Sequence, residues 1–400
     1  MDKREYLNII KISDCSGCGA CAAVCPKSCI DITVGENGFI LPMVDLDTCI
    51  NCKKCDRTCP VLNSSNTKPS SAVKSYAAKN SSKDVSLKSS SGGAFSVFAT
   101  NIISNGGAVY GVVLNSKLEA EHIRVTDIND LYKLRGSKYL QSINTPSIYR
   151  SVKKDLNNGV AVLFSGTPCQ IGGLYSYLGT NPANLITLEV VCHGIPSYDV
   201  FKRYILSLEE KNGDLKVRGI NFRDKTDGWS KNRIKFTFED GTEFSQLGSE
   251  NSFMKGYIQN LYIRDSCFNC KFKDFKSKAD LLLGDMWGVQ NMLPGYSEEN
   301  GVSLICTASD KGCDFFKTCL AQFNDVKEVS YEDVKVYNEC IIKSVKPNER
   351  SEEFFEKYKI EDFDKLIHRL TKPKFSAVVK RELAKQKHYL YLIKQKLSGK

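Results

Sequence analysis

The chain has 400 residues, of which 42% are hydrophobic and 26% charged, so it is long enough for a core divided over two or three domains. Its charged start and the lack of any run of about eighteen uncharged apolar residues predict neither a signal peptide nor a membrane-spanning helix. The net charge of +10 lies mostly at the end, because Lys372 to Lys400 carry nine basic side chains and one acidic side chain. The nearly neutral remainder excludes a broad basic groove, and we expect no nucleic-acid partner.

The first predicted unit, residues 1–62, is rich in cysteine, and two runs in it share the spacing C-x2-C-x2-C-x3-C-P. The first run consists of Cys15, Cys18, Cys21 and Cys25, and the second of Cys49, Cys52, Cys55 and Cys59. This spacing is typical of bacterial ferredoxins with two 4Fe–4S clusters, in which the fourth cysteine of each run binds the other cluster. Zinc binding and unconnected thiols are the alternatives.

The pattern also predicts which cysteines share a cluster. We expect one cluster on Cys15, Cys18, Cys21 and Cys59, and the other on Cys49, Cys52, Cys55 and Cys25. Between the runs, residues 30–44 predict a hairpin that turns at 35–38, and Cys29 is expected to be a buried apolar residue. Because clustered cysteines without a secretory signal are typical of a reducing compartment, we expect a cytoplasmic protein.

A polar, Ser-rich linker is expected at 63–75, before a larger body at 76–345. The apolar patterns of the body predict helices at 95–103 and 168–178, buried strands at 108–115, 161–165 and 185–191, and a hairpin at 234–245. Buried strands that alternate with helices indicate parallel βαβ units with an antiparallel addition. The expected fold class is α+β multidomain: a small ferredoxin-like domain, a larger mixed α/β domain and a helical C-terminal tail at 346–400.

Four further cysteines fall in predicted loops of the body. Cys169 lies in the first turn of the helix after the strand at 161–165, where the helix N-terminus favours a thiolate, and Cys192 follows the strand at 185–191. In a parallel βαβ unit both positions lie at one sheet edge, where open α/β sheets bind ligands. Cys267 and Cys270 add a C-x2-C pair. Together these cysteines predict a third 4Fe–4S site, with a structural zinc, a redox-active Cys267–Cys270 pair or buried cysteines as the alternatives.

The body also carries a set of motifs in a fixed order. They are SSSGGAF (89–95), LRGSKYLQS (134–142), SGTPCQ (165–170), CHGIPS (192–197), FRDKTDGW (222–229) and ADLLLGDMWG (279–288). With the dicluster segment before them, they resemble the coenzyme F420 hydrogenase/dehydrogenase beta-subunit family, and plant 7-hydroxymethyl chlorophyll a reductase is similar. The resemblance implies an iron–sulfur oxidoreductase whose FAD domain has two parts, 76–155 and 156–345, and it strengthens the prediction of the third cluster.

The flavin is implied by the resemblance, since no Rossmann G-x-G-x-x-G follows a strand. Ser91, Gly92 and Gly93 precede a predicted helix whose free N-terminus suits a pyrophosphate, and an ordinary capped helix is the alternative. The other candidate cofactor residues are Arg135, Lys138, Gly166, Thr167, Arg223, Lys225, Trp229 and Asp285.

These residues also have plainer explanations. Arg135 and Lys138 form either a phosphate site or a solvated basic pair, and Arg223, Lys225 and Trp229 are expected in a polar loop after a strand. The catalytic candidates are His193 and Asp285, the first as a proton donor and the second as a hydrogen-bond partner of the cofactor. A structural histidine is the alternative for His193.

Together these features predict an FAD-dependent iron–sulfur oxidoreductase. Electrons are expected to pass from the ferredoxin-like unit by way of the third cluster to FAD, which exchanges hydride with a conjugated acceptor such as a deazaflavin of the F420 kind. The expected partners are an electron-donor protein, either a ferredoxin or a subunit of a hydrogenase or dehydrogenase, and a small-molecule acceptor. The alternatives are a non-catalytic electron-transfer subunit of a larger complex and a scaffold with structural clusters.

The basic tail predicts one more feature. Residues 375–397 fit an amphipathic basic helix that is a candidate for peripheral contact with the inner face of a membrane or for docking on an acidic partner. A solvated terminal helix or a disordered end is the alternative.

Overall fold

The computed structural model describes residues 4–6, 11–64, 69 and 71–372. The predicted basic helix at 375–397 lies outside these residues. Among the described helices, none combines the length and the apolar character that a membrane crossing requires.

The N-terminal unit is a three-stranded antiparallel sheet with two short helices. Its elements are β1 (Arg4–Tyr6), α1 (Ala20–Val24), β2 (Ile30–Val34), β3 (Ile40–Asp45) and α2 (Lys54–Thr58), and the strand order is β1-β3-β2. The predicted hairpin is confirmed, since β2 and β3 pair in antiparallel register. Its turn docks on the larger unit, because the Ser197 hydroxyl donates to the Asn37 carbonyl at 2.7 Å and the Tyr198 amide donates to the Gly38 carbonyl at 2.8 Å.

The larger unit is built on an eight-stranded mixed sheet and a three-stranded meander. Its strands are β4 (Lys74–Asn80), β5 (Ala108–Leu114), β6 (Ala120–Val125), β7 (Val162–Gly166), β8 (Leu185–Val190), β9 (Val217–Asp224), β10 (Arg233–Phe238), β11 (Glu243–Leu247), β12 (Leu281–Asp285), β13 (Ser303–Thr307) and β14 (Phe323–Val329). The large sheet has the order β14-β4-β13-β12-β8-β7-β5-β6, and the meander has the order β11-β10-β9.

The centre of the large sheet is parallel. Strands β5, β7, β8 and β12 run parallel, whereas β6, β13, β4 and β14 are antiparallel additions at the two edges. The central strands are near-continuous apolar runs because both of their faces are covered. The carboxyl ends of β7, β8 and β12 therefore meet at one edge, directly before Cys169, before Cys192 and at Asp285.

Helices cover both faces of this sheet. They are α3 (Lys83–Leu87), α4 (Ala94–Ser104), α5 (Thr145–Asn157), α6 (Pro168–Leu178), α7 (Tyr198–Lys211), α8 (Ser252–Ile258), α9 (Asp265–Phe268), α10 (Val289–Met292), α11 (Asp310–Cys319), α12 (Tyr331–Tyr337), α13 (Ser351–Lys357) and α14 (Phe363–Thr371). The helix predicted at 168–178 is confirmed with the same bounds. It begins at Pro168, and the Thr167 amide before it donates to Gln170 Oε1 at 3.0 Å, which caps the first turn.

The packed core continues past residue 345. Phe354, Phe363, Leu366 and Ile367, on α13 and α14, are fully buried in the same cluster as the aromatic side chains of α7 and α8. The sequence prediction of a ferredoxin-like N-terminal region and a larger mixed α/β region is thus confirmed, while the predicted tail is described only as far as residue 372.

Candidate iron–sulfur and cofactor sites

The structure groups the first cysteine set as the spacing predicts. Cys15, Cys18 and Cys21 lie so close to Cys59 that a negative charge on the Cys59 thiol would raise the pKa of each of them. Burial raises the pKa of Cys15, Cys18 and Cys21, so a cation such as iron is needed to hold them as thiolates. The Gly17 amide donates to Cys15 Sγ at 3.4 Å.

Two glycines let this loop fit against the rest of the protein. A Cβ on Gly17 would lie 2.5 Å from the Ile40 carbonyl oxygen, and one on Gly19 would lie 2.4 Å from Thr145 Oγ1. Both residues also have positive φ, +65° and +81°, which favours glycine. The first cysteine set is therefore enclosed between the small sheet and α5.

The second set, which comprises Cys25, Cys49, Cys52 and Cys55, lies nearer the surface. All four side chains are half-buried, and the neighbouring Ile50 is 57% exposed. Cys29 is buried as predicted, and its thiol lies 3.4 Å from the Cys25 thiol. Desolvation opposes ionisation of Cys25, yet hydrogen bonds from Cys29 and the backbone outweigh it and lower its pKa.

The third set surrounds one cavity. Cys169, Cys192, Cys267 and Cys270 all line a small pocket that is open to solvent, together with Asp14, Ser16 and Val61 of the N-terminal unit. Burial raises the pKa of Cys192 and of Cys267, and it raises that of Cys169 to about 12. At Cys169 the largest influence is burial, which favours the neutral thiol over the thiolate that the α6 N-terminus was expected to favour.

A zinc ion and a 4Fe–4S cluster place different geometric demands on the third cysteine set. Within the described ranges, no three His, Cys, Asp or Glu side chains converge as a single metal ion requires. A zinc ion needs four ligand atoms at about 2.0–2.3 Å from one point, whereas a 4Fe–4S cluster spreads its thiolates over four iron atoms. The four cysteines that line this pocket are therefore the candidate ligands of either centre.

The first and third sets touch each other through α6. A Cβ on Gly173 would lie 3.0 Å from Cys18 Cβ, 3.1 Å from Cys18 Sγ and 2.9 Å from the Tyr149 hydroxyl. Cys18 and Cys169 also act on each other electrostatically. The absent side chain at Gly173 thus lets a cysteine of the first set reach the helix whose first turn carries Cys169.

A separate polar cluster forms at the end of β12. Arg223 Nη1 donates to Asp285 Oδ2 at 2.8 Å, and Trp229 Nε1 donates to Asp285 Oδ1 at 3.1 Å. The Trp229 ring stacks on Trp287 with centroids 5.0 Å apart. Arg223 Nε and Nη2 are buried without a hydrogen-bond partner, so the guanidinium presents two donors that an anionic or carbonyl group would satisfy.

In this cluster the position predicted for Arg223 is wrong, and one member had not been predicted. Arg223 lies on strand β9 rather than in a polar loop, and Arg223, Lys225 and Trp229 are all buried, because the meander packs onto the large sheet. Trp287 was missed, although it lies in the last motif two positions after Asp285. Its indole is 37% exposed and lies over the Arg223 guanidinium at 5.6 Å.

The Lys225 side chain anchors the SSSGG segment, residues 89–93, through hydrogen bonds. The Lys225 ammonium donates to the carbonyl oxygens of Ser86 at 2.8 Å, Ser91 at 2.5 Å and Asn300 at 2.7 Å, and burial lowers its pKa to about 8. A Cβ on Gly92 would lie 2.7 Å from the Ala78 carbonyl oxygen, so this glycine serves close packing. Gly93 is the N-cap of α4, and the first helical amide donates to Ser303 Oγ at 3.3 Å.

The remaining basic pair is not simply solvated. The Lys138 ammonium donates to the carbonyl oxygens of Arg135 at 2.7 Å and Leu134 at 3.2 Å, and burial lowers its pKa to about 7. Arg135 Nε donates to Ser96 Oγ at 3.2 Å. Both side chains therefore tie the motif loop to itself and to α4.

Gly166 and Thr167 lie where β7 passes into α6. Gly166 is the last residue of β7, and Thr167 Oγ1 lies 3.2 Å from Cys169 Sγ. These two candidates therefore belong to the third cysteine set rather than to the cluster around Arg223.

The two catalytic candidates lie in different places. His193 lines the cavity of the third set, and its Nε2 lies 2.7 Å from Asn260 Oδ1, whereas Asp285 belongs to the Arg223 cluster. The Tyr257 ring packs beside His193, with ring centroids 5.0 Å apart, and beside Tyr139, with ring centroids 5.6 Å apart. Burial lowers the pKa of His193, so the neutral imidazole is favoured.

Comparison with known proteins identifies both parts of the chain. Residues 14–63 match the family model of the 4Fe-4S dicluster domain, and residues 160–331 match that of the C terminus of the coenzyme F420 hydrogenase/dehydrogenase beta subunit. The F subunit of F(420)H(2) dehydrogenase from Methanosarcina mazei is 26% identical over 181 residues, which cover 42% of this chain and 49% of that relative. An uncharacterized protein of Methanocaldococcus jannaschii is 27% identical over 260 residues, which cover 52% of this chain and 69% of that relative.

The match spans about half the length of the dehydrogenase subunit. Among solved structures, a chain of the F420-reducing NiFe hydrogenase complex from Methanosarcina barkeri is 14% identical, with a TM-score of 0.46 and coverage of 73% of this chain and 91% of that chain. The two domain matches confirm the resemblance that the motifs indicated: residues 14–63 are similar to the 4Fe-4S dicluster domain, and residues 160–331 are similar to the C terminus of the coenzyme F420 hydrogenase/dehydrogenase beta subunit.

Proposed function

We propose that this chain is an iron–sulfur electron-transfer subunit of an oxidoreductase complex. The observation that carries the proposal is the contact between Cys18 and Gly173, because it sets the first cysteine set against the helix that begins beside Cys169. The three cysteine sets then form a series: the second set beside the exposed Ile50, the first set, and the third set at the cavity lined by Cys192. The name of the relative in Methanosarcina mazei, which is that of a dehydrogenase component, supports a role beside a partner protein.

The chain's own residues have three tasks in this function. When bound, 4Fe–4S clusters supply one-electron transfer. The first set lies in largely buried surroundings, where the Gly17 amide donates to Cys15 Sγ, and the third set lines the pocket beside α6. The half-buried second set leaves Cys52 and its neighbours open to a protein partner.

Electron uptake by the isolated chain tests this proposal. Protein purified without oxygen and titrated with reduced methyl viologen should take up about three electrons per chain, one for each 4Fe–4S cluster. The same reduced protein should not by itself convert F420, since the partner is expected to hold the acceptor site. Uptake of no electrons by iron-loaded protein would contradict the proposal.

A second function is favoured by the cluster around Arg223: FAD-dependent hydride exchange with a conjugated organic acceptor such as a deazaflavin. The observation is the pair of buried donors, Arg223 Nε and Nη2, that have no partner. When bound, FAD would supply the link between one-electron and hydride chemistry. Asp285 orients the guanidinium and the Trp229 indole, and Trp287 offers a partly exposed aromatic face for stacking.

Flavin binding tests this second function independently of iron. FAD added to the protein under anaerobic conditions should lose fluorescence on binding, and Arg223→Gln should weaken the binding at least about tenfold because a buried charge-assisted hydrogen bond is lost. Arg218→Gln, which removes an exposed guanidinium paired with Glu239 at 3.3 Å on the same strand, is the matched control and should leave binding unchanged. Absence of FAD binding by the unaltered protein would rule this function out.

A further inference from the structure

Arg264 lies at the seam between the first and the third cysteine sets. It directly precedes α9, and its side chain crosses into the N-terminal unit. Nη1 donates to the Cys15 carbonyl oxygen at 3.2 Å, and Nη2 donates to the Ile40 carbonyl oxygen at 3.0 Å and to Gln141 Oε1 at 2.5 Å. The guanidinium also lies over the Phe39 ring at 5.2 Å. One side chain of the larger unit thus clamps the start of the first cysteine run.

Gln141 completes the clamp. Its Nε2 donates to the carbonyl oxygens of Ser16 at 3.1 Å and Gly17 at 2.9 Å. At the other end, the Arg264 carbonyl accepts from the Cys267 amide at 3.0 Å. The same residue therefore fixes the loop of Cys15 through its side chain and the turn of Cys267 through its backbone.

The charge of Arg264 is the unusual part of this arrangement. The residue is only 3% exposed, and its acceptors, two carbonyls and one amide oxygen, are all neutral. Its Nε is buried without a hydrogen-bond partner. A guanidinium stays protonated, and burying it without an anion is costly, so the fold is expected to supply negative charge nearby.

The negative groups that feel this charge are cysteines of both sets. The Arg264 guanidinium donates to the Cys15 carbonyl oxygen at 3.2 Å, and Cys267 lies three residues after Arg264, in the turn that the Arg264 carbonyl closes. A 4Fe–4S cluster with four thiolate ligands is an anion, and it gains one more negative charge when it is reduced. A fixed positive charge close to two such groups favours the reduced form of each.

We infer that Arg264 is a positioning residue shared by the first and third cysteine sets, which compensates the charge of both clusters and raises both reduction potentials together. The inference rests on the proposed cluster content. One buried side chain then keeps the reduction potentials of two neighbouring clusters close to each other, so that an electron is not trapped on either cluster.

Midpoint potentials measured by spectroscopic titration test this inference. Arg264→Gln keeps hydrogen-bonding capacity and removes the charge, so the ratio of reduced to oxidised first and third clusters at a fixed potential should fall at least about tenfold, which is about 59 mV for a one-electron couple. The second cluster should not shift. Arg264→Lys retains the charge and should restore most of both potentials. Spectra of Cys49→Ser and Cys267→Ser variants assign the signals to their sites.

A matched control is available at the second set. Arg57 Nη2 donates to the Cys52 carbonyl oxygen at 3.2 Å but is exposed, so Arg57→Gln should shift the second cluster only slightly because solvent screens its charge. Unchanged potentials in iron-loaded Arg264→Gln would overturn the inference. So would loss of iron from the first and third sites in both Arg264 variants, since Arg264 would then be a structural clamp. Absence of clusters from the unaltered protein would contradict the proposed function instead.

Discussion

The two cysteine runs of this chain have the same spacing and opposite surroundings. The set formed by Cys15, Cys18, Cys21 and Cys59 is enclosed by α5, α6 and the clamp of Arg264 and Gln141. The set formed by Cys25, Cys49, Cys52 and Cys55 is half-buried beside the exposed Ile50. Spacing alone therefore decides that a cluster can bind, whereas the packing around it decides whether it faces inward or toward a partner.

This difference has a consequence for redox tuning. Hydrogen bonds, burial and nearby charge set the potential of an iron–sulfur cluster. The enclosed set has a buried guanidinium within hydrogen-bonding distance of its loop, whereas the guanidinium that donates to the loop of the surface set, that of Arg57, is exposed. Two motifs that look alike in the sequence thus belong to different electrostatic environments.

The largest expected effect comes from a substitution that disrupts the packing around the first cysteine set. Gly173→Val would place side-chain atoms against Cys18 and Tyr149, since a Cβ there already lies within 3.1 Å of both residues. We expect a loss of about 1–3 kcal/mol in the free energy of unfolding from overpacking, and a loss of about four irons as the first cluster is displaced. Chemical denaturation and iron analysis measure the two effects.

Gly219→Ala is the control for this substitution. A Cβ at Gly219 would lie 3.6 Å from its nearest neighbour, Thr237, which is ordinary contact. It should leave the iron content unchanged. Full iron content in Gly173→Val would mean that the enclosure of the first set is not needed for its cluster.

A smaller effect is expected at the surface set. Cys52→Ala should remove about four irons and leave the other two sites loaded, because Cys52 is half-buried at the exterior. The spectra of the first and third clusters should persist. Simultaneous loss of iron from those sites would show that the surface set supports the enclosed one, and the contrast between the two runs would fail.

The last prediction concerns the pH dependence of stability at the buried Glu189 on β8. Burial raises the pKa of Glu189 to about 8, and the Ser277 hydroxyl donates to this carboxyl at 2.5 Å. The folded state therefore holds a proton that the unfolded state releases near pH 4.5, so stability falls as pH rises from about 4.5 to about 8. Glu189→Gln removes this dependence.

Melting temperatures compared across pH measure this effect. The advantage of Glu189→Gln over the unaltered protein should be near zero at about pH 4.5, should grow as pH rises and should level off above about pH 8. An advantage that is constant across this range would show that Glu189 does not titrate in the folded protein.

The sequence predicted those features that depend on neighbours along the chain. The cysteine spacing identified both runs, and the apolar pattern of 168–178 located α6 to the residue. The same motif analysis could have found Trp287, because this residue lies in the same motif as Asp285.

The rest could not be predicted because it depends on contacts between distant positions. Arg264 and Cys15 are 249 positions apart, and Gln141 and Gly17 are 124 positions apart. No local pattern marks Gly173 as the neighbour of Cys18. The burial of Arg223, Lys225 and Trp229 was missed for the same reason: Lys225 and Trp229 do lie in a loop after β9, but the packing of the meander onto the large sheet buries all three residues.

The metal and sulfide content of protein purified without oxygen tests the central claim most directly. Three 4Fe–4S clusters predict about twelve irons and about twelve acid-labile sulfides per chain, and about eight of each in Cys267→Ser. About eight irons together with one zinc in the unaltered protein, with the zinc lost in Cys267→Ser, would contradict the account.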